Sequence, residues 1–220
     1  MIFIVIPARD EEGRIGRVVR GLFERGWNKT VVVDDGSADR TAAEAEAAGA
    51  IVLRHPFNRG QGAALQTGDE YALAQGAEAV VHFDGDGQFN PDDVAPALAK
   101  LKEKNLDAVL GSRFLDGRSR VPFFKKYFLL PLARFVNRLL TGVRLTDAHN
   151  GFRVLSRRAL EKIKITQDGM AHNSEIVEKL KRAGLAFAEF PVEVTYSEYG
   201  QGAAGGLKIL RDWFFGKIIG

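Results

Sequence analysis

The chain has 220 residues, 45% apolar and 27% charged, which is enough apolar material for one large core and excludes a disordered protein. It contains no cysteine, so disulfide frameworks, thiolate zinc sites and cysteine nucleophiles are excluded. A net charge of +3 is too mild to argue for nucleic acid, and no RNP, KH or zinc-finger pattern accompanies it.

Residues 2–6, IFIVI, form a short apolar run stopped by Pro7, the pattern of a buried parallel strand. The opening MIFIVIPARDEE has no basic leader region and no cleavage site, so no secretory signal is expected. From Glu11 to Glu24, apolar residues recur at Ile15, Val18, Val19 and Leu22, which is helical spacing. TVVV at 30–33 predicts a second strand ending on Asp34-Asp35-Gly36-Ser37. An Ala/Glu-rich helix is expected over 41–48, a third strand over 51–53, and a helix opening at Gly60-Gln61-Gly62. A fourth strand over 79–83 is followed by a helix over 91–102, and a fifth over 108–110 leads into Gly111-Ser112-Arg113. Such alternation argues a mainly parallel sheet wrapped by helices, with ligands at the carboxyl ends of the strands. The polar clusters at 7–11, 34–37, 84–88 and 111–113 all fall at those ends, so four loops converge on one rim.

After Arg113 the pattern changes. Residues 122–140 predict an amphipathic helix interrupted at Pro131, with Lys126, Arg134 and Arg138 on one row. A polar turn and strand over 146–155, a helix over 174–182 and a strand over 186–196 follow, and the tail GGLKILRDWFFGKIIG is again basic and amphipathic. Both basic segments fit a solvated helix face and equally a helix lying on an anionic membrane. No apolar stretch reaches the roughly 18 residues of a membrane span.

The chemistry concentrates in AVVHFDGDGQFN, residues 79–90. An apolar strand ends on Asp84 and Asp86, with Gln88 at the next odd position and Gly85 and Gly87 between them. Carboxylates crowded at a strand end repel unless a cation lies between them, and a hard cation such as Mg²⁺ or Mn²⁺ suits so few protein oxygens. An isolated DGDG would read better as a strand-closing turn. An EF-hand fails, because its sixth position is Phe89 in place of Gly and its twelfth Ala95 in place of Glu. Gly60-Gln61-Gly62 is no dinucleotide fingerprint, since the acidic residue expected about 20 positions on is absent from the end of the next strand. The histidines (55, 82, 149 and 172) show no HExxH spacing.

Taken together and in order, IPARDEE, VVVDDGSADRT, NRGQGAALQTG, FDGDGQFNP, GSRF, DAHNGFR and the helix with Ser174-Glu175 resemble the family 2 glycosyltransferases of GT-A fold. Within that family the chain is similar to dolichol-phosphate mannose synthase-like and bacterial polyprenyl-phosphate sugar transferases, over about residues 2–200. The resemblance implies a GT-A domain over 1–200, an α/β fold with a mixed, mainly parallel sheet. Residues 201–220 would add a loop and an amphipathic C-terminal helix. It implies that Pro7, Arg9, Glu11, Val33 and Asp35 line the nucleotide pocket, with Phe83, Gly85 and Lys125 completing the donor-binding set. Asp84, Asp86 and Gln88 would hold Mg²⁺ or Mn²⁺ against the sugar diphosphate, and Arg113 would aim at the phosphates. Asp147, with Asn150-Gly151-Phe152-Arg153, would flank the acceptor, and Glu175 is the candidate general base. One departure stands out: SEYGQGAAGG, where related enzymes carry a basic loop, holds no Arg or Lys.

The implied activity is metal-dependent, inverting transfer of a hexose from a GDP- or UDP-sugar to a polyprenyl phosphate. The chain would be cytoplasmic, peripheral at the cytoplasmic membrane face, and open to homo-oligomer formation. A saccharide or glycolipid hydroxyl is the alternative acceptor; it would need Glu175 or Asp147 as base, whereas a phosphate acceptor is already ionised. A binding protein without catalysis is disfavoured by the intact Asp84, Asp86 and Arg113. A nucleotidyltransferase would carry a Gly-rich basic loop where Ala8-Arg9-Asp10-Glu11-Glu12 stands.

Overall fold

The computed structural model describes residues 1–119, 142–147 and 150–195. In chain order the elements are β1 (Ile2–Ala8), α1 (Ile15–Phe23), β2 (Thr30–Asp34), α2 (Thr41–Ala47), β3 (Ile51–Arg54), α3 (Gln61–Ala74), β4 (Ala79–His82), a 3₁₀ turn (Pro91–Asp93), α4 (Val94–Glu103), β5 (Ala108–Ser112), β6 (Arg153–Ser156), α5 (Arg157–Lys162), α6 (His172–Arg182) and β7 (Phe187–Pro191). The expected helix over 122–140, the segment 196–220 and Lys125 lie outside the described residues.

The strands form one sheet in the order β3-β2-β1-β4-β6-β5-β7. Every pairing is parallel except those of β6, which runs antiparallel to both β4 and β5. The expectation of a mixed, mainly parallel sheet holds, and β6 supplies the mixing. Alternate residues of each strand feed two cores. Ile4, Ile6 and Val32 join α1, α2 and α4 on one face. Phe3, Val5, Val31 and Val33 join α3, α5 and α6 on the other. α3 lies close against its face because Gly68 has no side chain: a Cβ there would collide with Val5 and touch Val33.

Local chemistry trims the predicted elements. The first helix starts at Ile15, because Asp10 takes a left-handed backbone (φ 54°) and residues 10–13 spend their amides elsewhere. Asp10, Glu11, Glu12 and Gly13 donate in turn to Ser37 Oγ (3.0 Å), Thr41 Oγ1 (2.7 Å), Asp39 Oδ2 (3.0 Å) and Glu44 Oε2 (2.7 Å). Four consecutive N–H groups thus stitch the loop after β1 to the loop after β2 and the first turn of α2. The last strand keeps Phe187–Pro191 in the sheet, and Val194 makes a single bridge to Phe89.

Candidate active site

Parallel strands deliver their C-terminal loops to one edge of the sheet. An antiparallel strand delivers its N-terminal loop there instead, so Asn150 and Gly151, just ahead of β6, arrive beside the ends of β4 and β5. Beneath them Phe83, Phe89 and Phe152 meet edge to face, with centroids 5.5–6.2 Å apart, a rigid apolar floor.

On this floor sit three acids. Burial and then the neighbouring charge of Asp86 push Asp84 up to about 7. Burial also raises Asp86, against the opposing pull of the Gln88 N–H (2.9 Å) and Arg14. Glu11 is raised by burial and by Asp86, against the lowering effect of Arg14, whose Nε lies 2.7 Å from its Oε2. Asp84 has one hydrogen-bonding partner among the described side chains, Gln61 Nε2 at 3.3 Å. The backbone of Gly151 presses on it from the other side: a Cβ at 151 would lie 2.6 and 2.7 Å from the two carboxylate oxygens.

Across a cavity of about 60 Å³, bounded by Asp84, Gln88, Arg113, Asn150 and Gly151, lies a cation. Arg113 donates through Nε (2.6 Å) and Nη2 (2.7 Å) to the buried Asp147, which also accepts from the Arg113 N–H (3.1 Å) and Asn150 Nδ2 (3.2 Å). Burial would raise Asp147, but these bonds outweigh it and hold the carboxyl below its ordinary range. Glu189 in turn accepts from the backbone of Thr146 (2.7 Å) and Asp147 (3.1 Å), fixing the segment. A rim with repelling acids on one wall and an anchored guanidinium on the other is built to receive a polyanion together with a cation.

Residues 3–164 match the model of the family described as glycosyl transferase family 2. The chain belongs to glycosyltransferase family 2. It is 31% identical over 220 residues to the UDP-N-acetylglucosamine–dolichyl-phosphate N-acetylglucosaminyltransferase of Methanococcus voltae, covering 90% of this chain and 87% of the relative. It is 28% identical over 223 residues to the polyprenol monophosphomannose synthase of Mycolicibacterium smegmatis, covering 96% of this chain and 83% of that one. In fold it is similar to glucosyl-3-phosphoglycerate synthase from Mycobacterium tuberculosis, solved with Mn²⁺ and UDP-glucose, at a TM-score of 0.75 and 21% identity, covering 97% of this chain and 76% of that one.

For a family 2 glycosyltransferase the donor set suits a divalent cation. Asp84 and Gln88 bring oxygens to the cavity, and the raised carboxylates mark a charge excess that a cation would relieve. No cluster of three or more His, Cys, Asp or Glu side chains forms a cage among the described residues. A hard ion held by one or two carboxylates keeps open positions for water and phosphate oxygens.

The sequence-predicted residues divide into two groups. Asp84, Asp86, Gln88, Glu11 and Arg113 converge on the rim, with Asp147 directly behind Arg113. Pro7 is half-buried in β1, and Arg9 is exposed at its end, 3.6 Å from Asp10. Val33 and Phe83 are buried in the two cores, and Gly85 turns toward Ile15, Ile6 and Ala8. Asp35 is sealed in: it binds His55 Nδ1 (2.7 Å) and accepts from the N–H groups of Arg59 (2.8 Å) and Gly60 (2.7 Å). Burial would raise it, yet these partners hold it below the ordinary value.

Glu175 faces away from the cavity's wall. It accepts from the N–H groups of Thr166 (3.1 Å) and Gln167 (3.0 Å) and from Lys179 Nζ (2.7 Å), and these bonds outweigh burial to lower its pKa. The strap it fastens packs on the start of α3, where the Gly62 N–H donates to Asp168 O (2.8 Å). Side chains at Gly60 or Gly62 would strike that strap. Sequence reasoning gave no individual role to Gln61, Asn150 or Gly151, and read Arg153 only within the NGFR turn beside the acceptor. The signal for the last three was the NGFR segment itself, and for Gln61 its place between two glycines at a helix start.

Proposed function

We propose that this glycosyltransferase moves a hexose from a nucleoside diphosphate sugar to a polyprenyl phosphate, with inversion and with Mg²⁺ or Mn²⁺ bound. The observation that carries the reading is the acidic wall itself: Asp84, raised by burial and by the charge of Asp86, faces the anchored Arg113, and burial raises Asp86 beside it. The relatives' names, a dolichyl-phosphate and a polyprenol-monophosphate enzyme, support the acceptor class. The neighbour solved with Mn²⁺ and UDP-glucose has the same fold.

Asp84 and Asp86, with Gln88 beside them, would hold the cation, which neutralises the diphosphate and the charge it gains on leaving. Arg113, pinned by Asp147, would set its positive charge against the phosphates. An acceptor phosphate oxygen bonds to the anomeric carbon as the carbon–oxygen bond to the diphosphate breaks, and that electron pair leaves with the diphosphate. Because the attacking oxygen is already ionised, no base is required. That fits Asp147, whose acceptor positions are taken, and Glu175, which is bonded to the 166–167 strap. Glu11 sits where its charge couples to the metal pair from the nucleotide side.

A lipid-borne acceptor brings the rim to a membrane surface, and the working location is the cytoplasmic face. No helix among the described residues is long and apolar enough to cross a bilayer. The test is calorimetric titration with UDP- and GDP-sugars in Mn²⁺ and in chelator, followed by transfer to undecaprenyl or dolichyl phosphate in detergent. Metal-dependent binding of one donor and a lipid-linked product are expected. Transfer only to saccharide hydroxyls would overturn the acceptor assignment, and absence of donor binding would overturn the whole reading.

A further inference from the structure

Arg153 heads the largest fully buried side chains, at 2% exposure. Its Nη2 donates to Asn173 Oδ1 on α6, a neutral partner, and its Nη1 is buried with no hydrogen-bond partner. No carboxylate comes within ion-pair distance of it among the described residues. Keeping a bare guanidinium in a protein interior costs several kcal/mol unless a counter-charge balances it. Three acids exert the largest fields on it: Asp84, then Asp147 and Asp69. Two of these already have partners. Asp147 is held by Arg113, and Asp69 Oδ1 lies 2.9 Å from His82 Nε2. Asp84 is the one left over.

Register explains the placement. Arg153 on β6 pairs with His82 on β4, so both side chains leave the same face of the sheet. Asp84, two residues beyond His82, continues on that face, and Gly151, two before Arg153, meets it. Arg153 acts on Asp84 more strongly than Arg113, the other cation whose field reaches it. His172, on the same side, is drawn down to about 3 by burial and by Arg153, so it is neutral at working pH.

We propose that Arg153 is a positioning residue for the metal–diphosphate site, a permanent counter-charge beneath Asp84 that holds this carboxylate aimed at the rim. It rests on the assignment of Asp84 as a ligand made above, and extends it to a residue that touches neither metal nor substrate. Asp84 thereby has Gly151 and Gln61 against it and the buried charge of Arg153 as its counter-charge, and Asn173 moors that guanidinium.

The test measures Mn²⁺ affinity of the full chain with saturating UDP or GDP, from the electron paramagnetic resonance of free Mn²⁺. The variants are Arg153→Met, Arg153→Lys and Asn173→Ala, with near-UV circular dichroism to confirm packing. Residues that orient metal ligands from behind are worth roughly 10- to 100-fold in metal affinity. Arg153→Met is expected to lose that much while folded, and Arg153→Lys to recover at least half of the loss on a logarithmic scale. A folded Arg153→Met that binds Mn²⁺ as the parent does overturns the proposal. So does an equal loss in Lys and Met, which marks a packing role. If Arg153→Met does not fold, Asn173→Ala decides, because it keeps the charge and frees it: about fivefold weaker binding is expected, and unchanged binding overturns the proposal. A parent chain that binds no Mn²⁺ with either nucleotide fails differently, since it removes the ligand assignment itself.

Discussion

Asp35 and Asp84 sit at equivalent places, each just past the end of a parallel strand, and their surroundings drive them in opposite directions. At the end of β2, Asp35 gathers an imidazole and two backbone N–H groups and falls below its ordinary pKa. At the end of β4, Asp84 is buried with only a long contact from Gln61 and a like charge nearby, and burial above all lifts it to about 7. The first is a satisfied group that ties residues 55–60 to the sheet. The second is left short of partners, and a site for an outside cation needs such a group. Strand-end position gives a carboxylate access to the rim; its unmet bonding capacity separates fastening from chemistry.

The largest expected effect comes from removing one of the unmet acids. Asp86→Ala should lower transfer by roughly a thousandfold, the scale of losing a main transition-state electrostatic contact. Its melting temperature should stay level or rise, since a buried repulsion goes with it. Asp35→Ala should do the reverse, losing roughly 1–3 kcal/mol of stability as its buried donors are orphaned. Thermal melts and single-turnover transfer on both variants measure the contrast. If Asp35→Ala lost activity without losing stability, the comparison would fail on the nucleotide side.

Next in size is Gly151→Ala, whose methyl would occupy space 2.6–2.7 Å from the Asp84 oxygens. Displacing the carboxylate by about 1 Å should cost on the order of a hundredfold in turnover. The protein should otherwise fold, and a crystal structure or Mn²⁺ titration would report the shift.

The acids also predict opposite pH slopes. Between about pH 4 and 7 the folded, metal-free chain keeps a proton on Asp84 that the unfolded chain releases, so this group makes stability fall as pH rises. Asp35, with its lowered pKa, contributes stability that is present above its ordinary value of 3.8 and lost as pH falls through the folded one. Urea midpoints across that range should show a downward component that Asp84→Asn removes and Mn²⁺ with nucleotide suppresses. A slope unchanged in Asp84→Asn would assign the effect to another group.

Smallest is Glu175→Gln. Weakening its clasp on Thr166 and Gln167 should cost about 1 kcal/mol and change transfer to a phosphate acceptor by only a few-fold. Abolished turnover with donor binding intact would restore the general-base role.

The paired carboxylates were legible in the sequence because an apolar run ending in Asp-Gly-Asp is a local pattern. The convergence of four loops followed from strand–helix alternation alone. The position of β6 between β4 and β5 was not legible, since a strand's neighbours are set by distant residues. For the same reason Asn150 and Gly151 could be quoted as a turn but not seen to touch Asp84. Asp35 and Glu175 looked available because their partners, His55 and the 166–167 strap, are separated from them in sequence or hold them through backbone groups that no side-chain pattern shows. The pairing of Asp147 with Arg113 was not legible either, since it crosses a gap of 34 residues.

The inserted strand also has a consequence for biosynthesis. Chains emerge N-terminus first and their early parts fold as they appear. When residues 1–112 have left the ribosome, β4 and β5 lack the strand that will lie between them, so the sheet stands in two separate pieces. Residues 150–156 close that gap, and the same seven residues carry the glycine against Asp84 and the arginine beneath it. The packing of Gly151 against Asp84 and the completion of the sheet therefore arrive in one step.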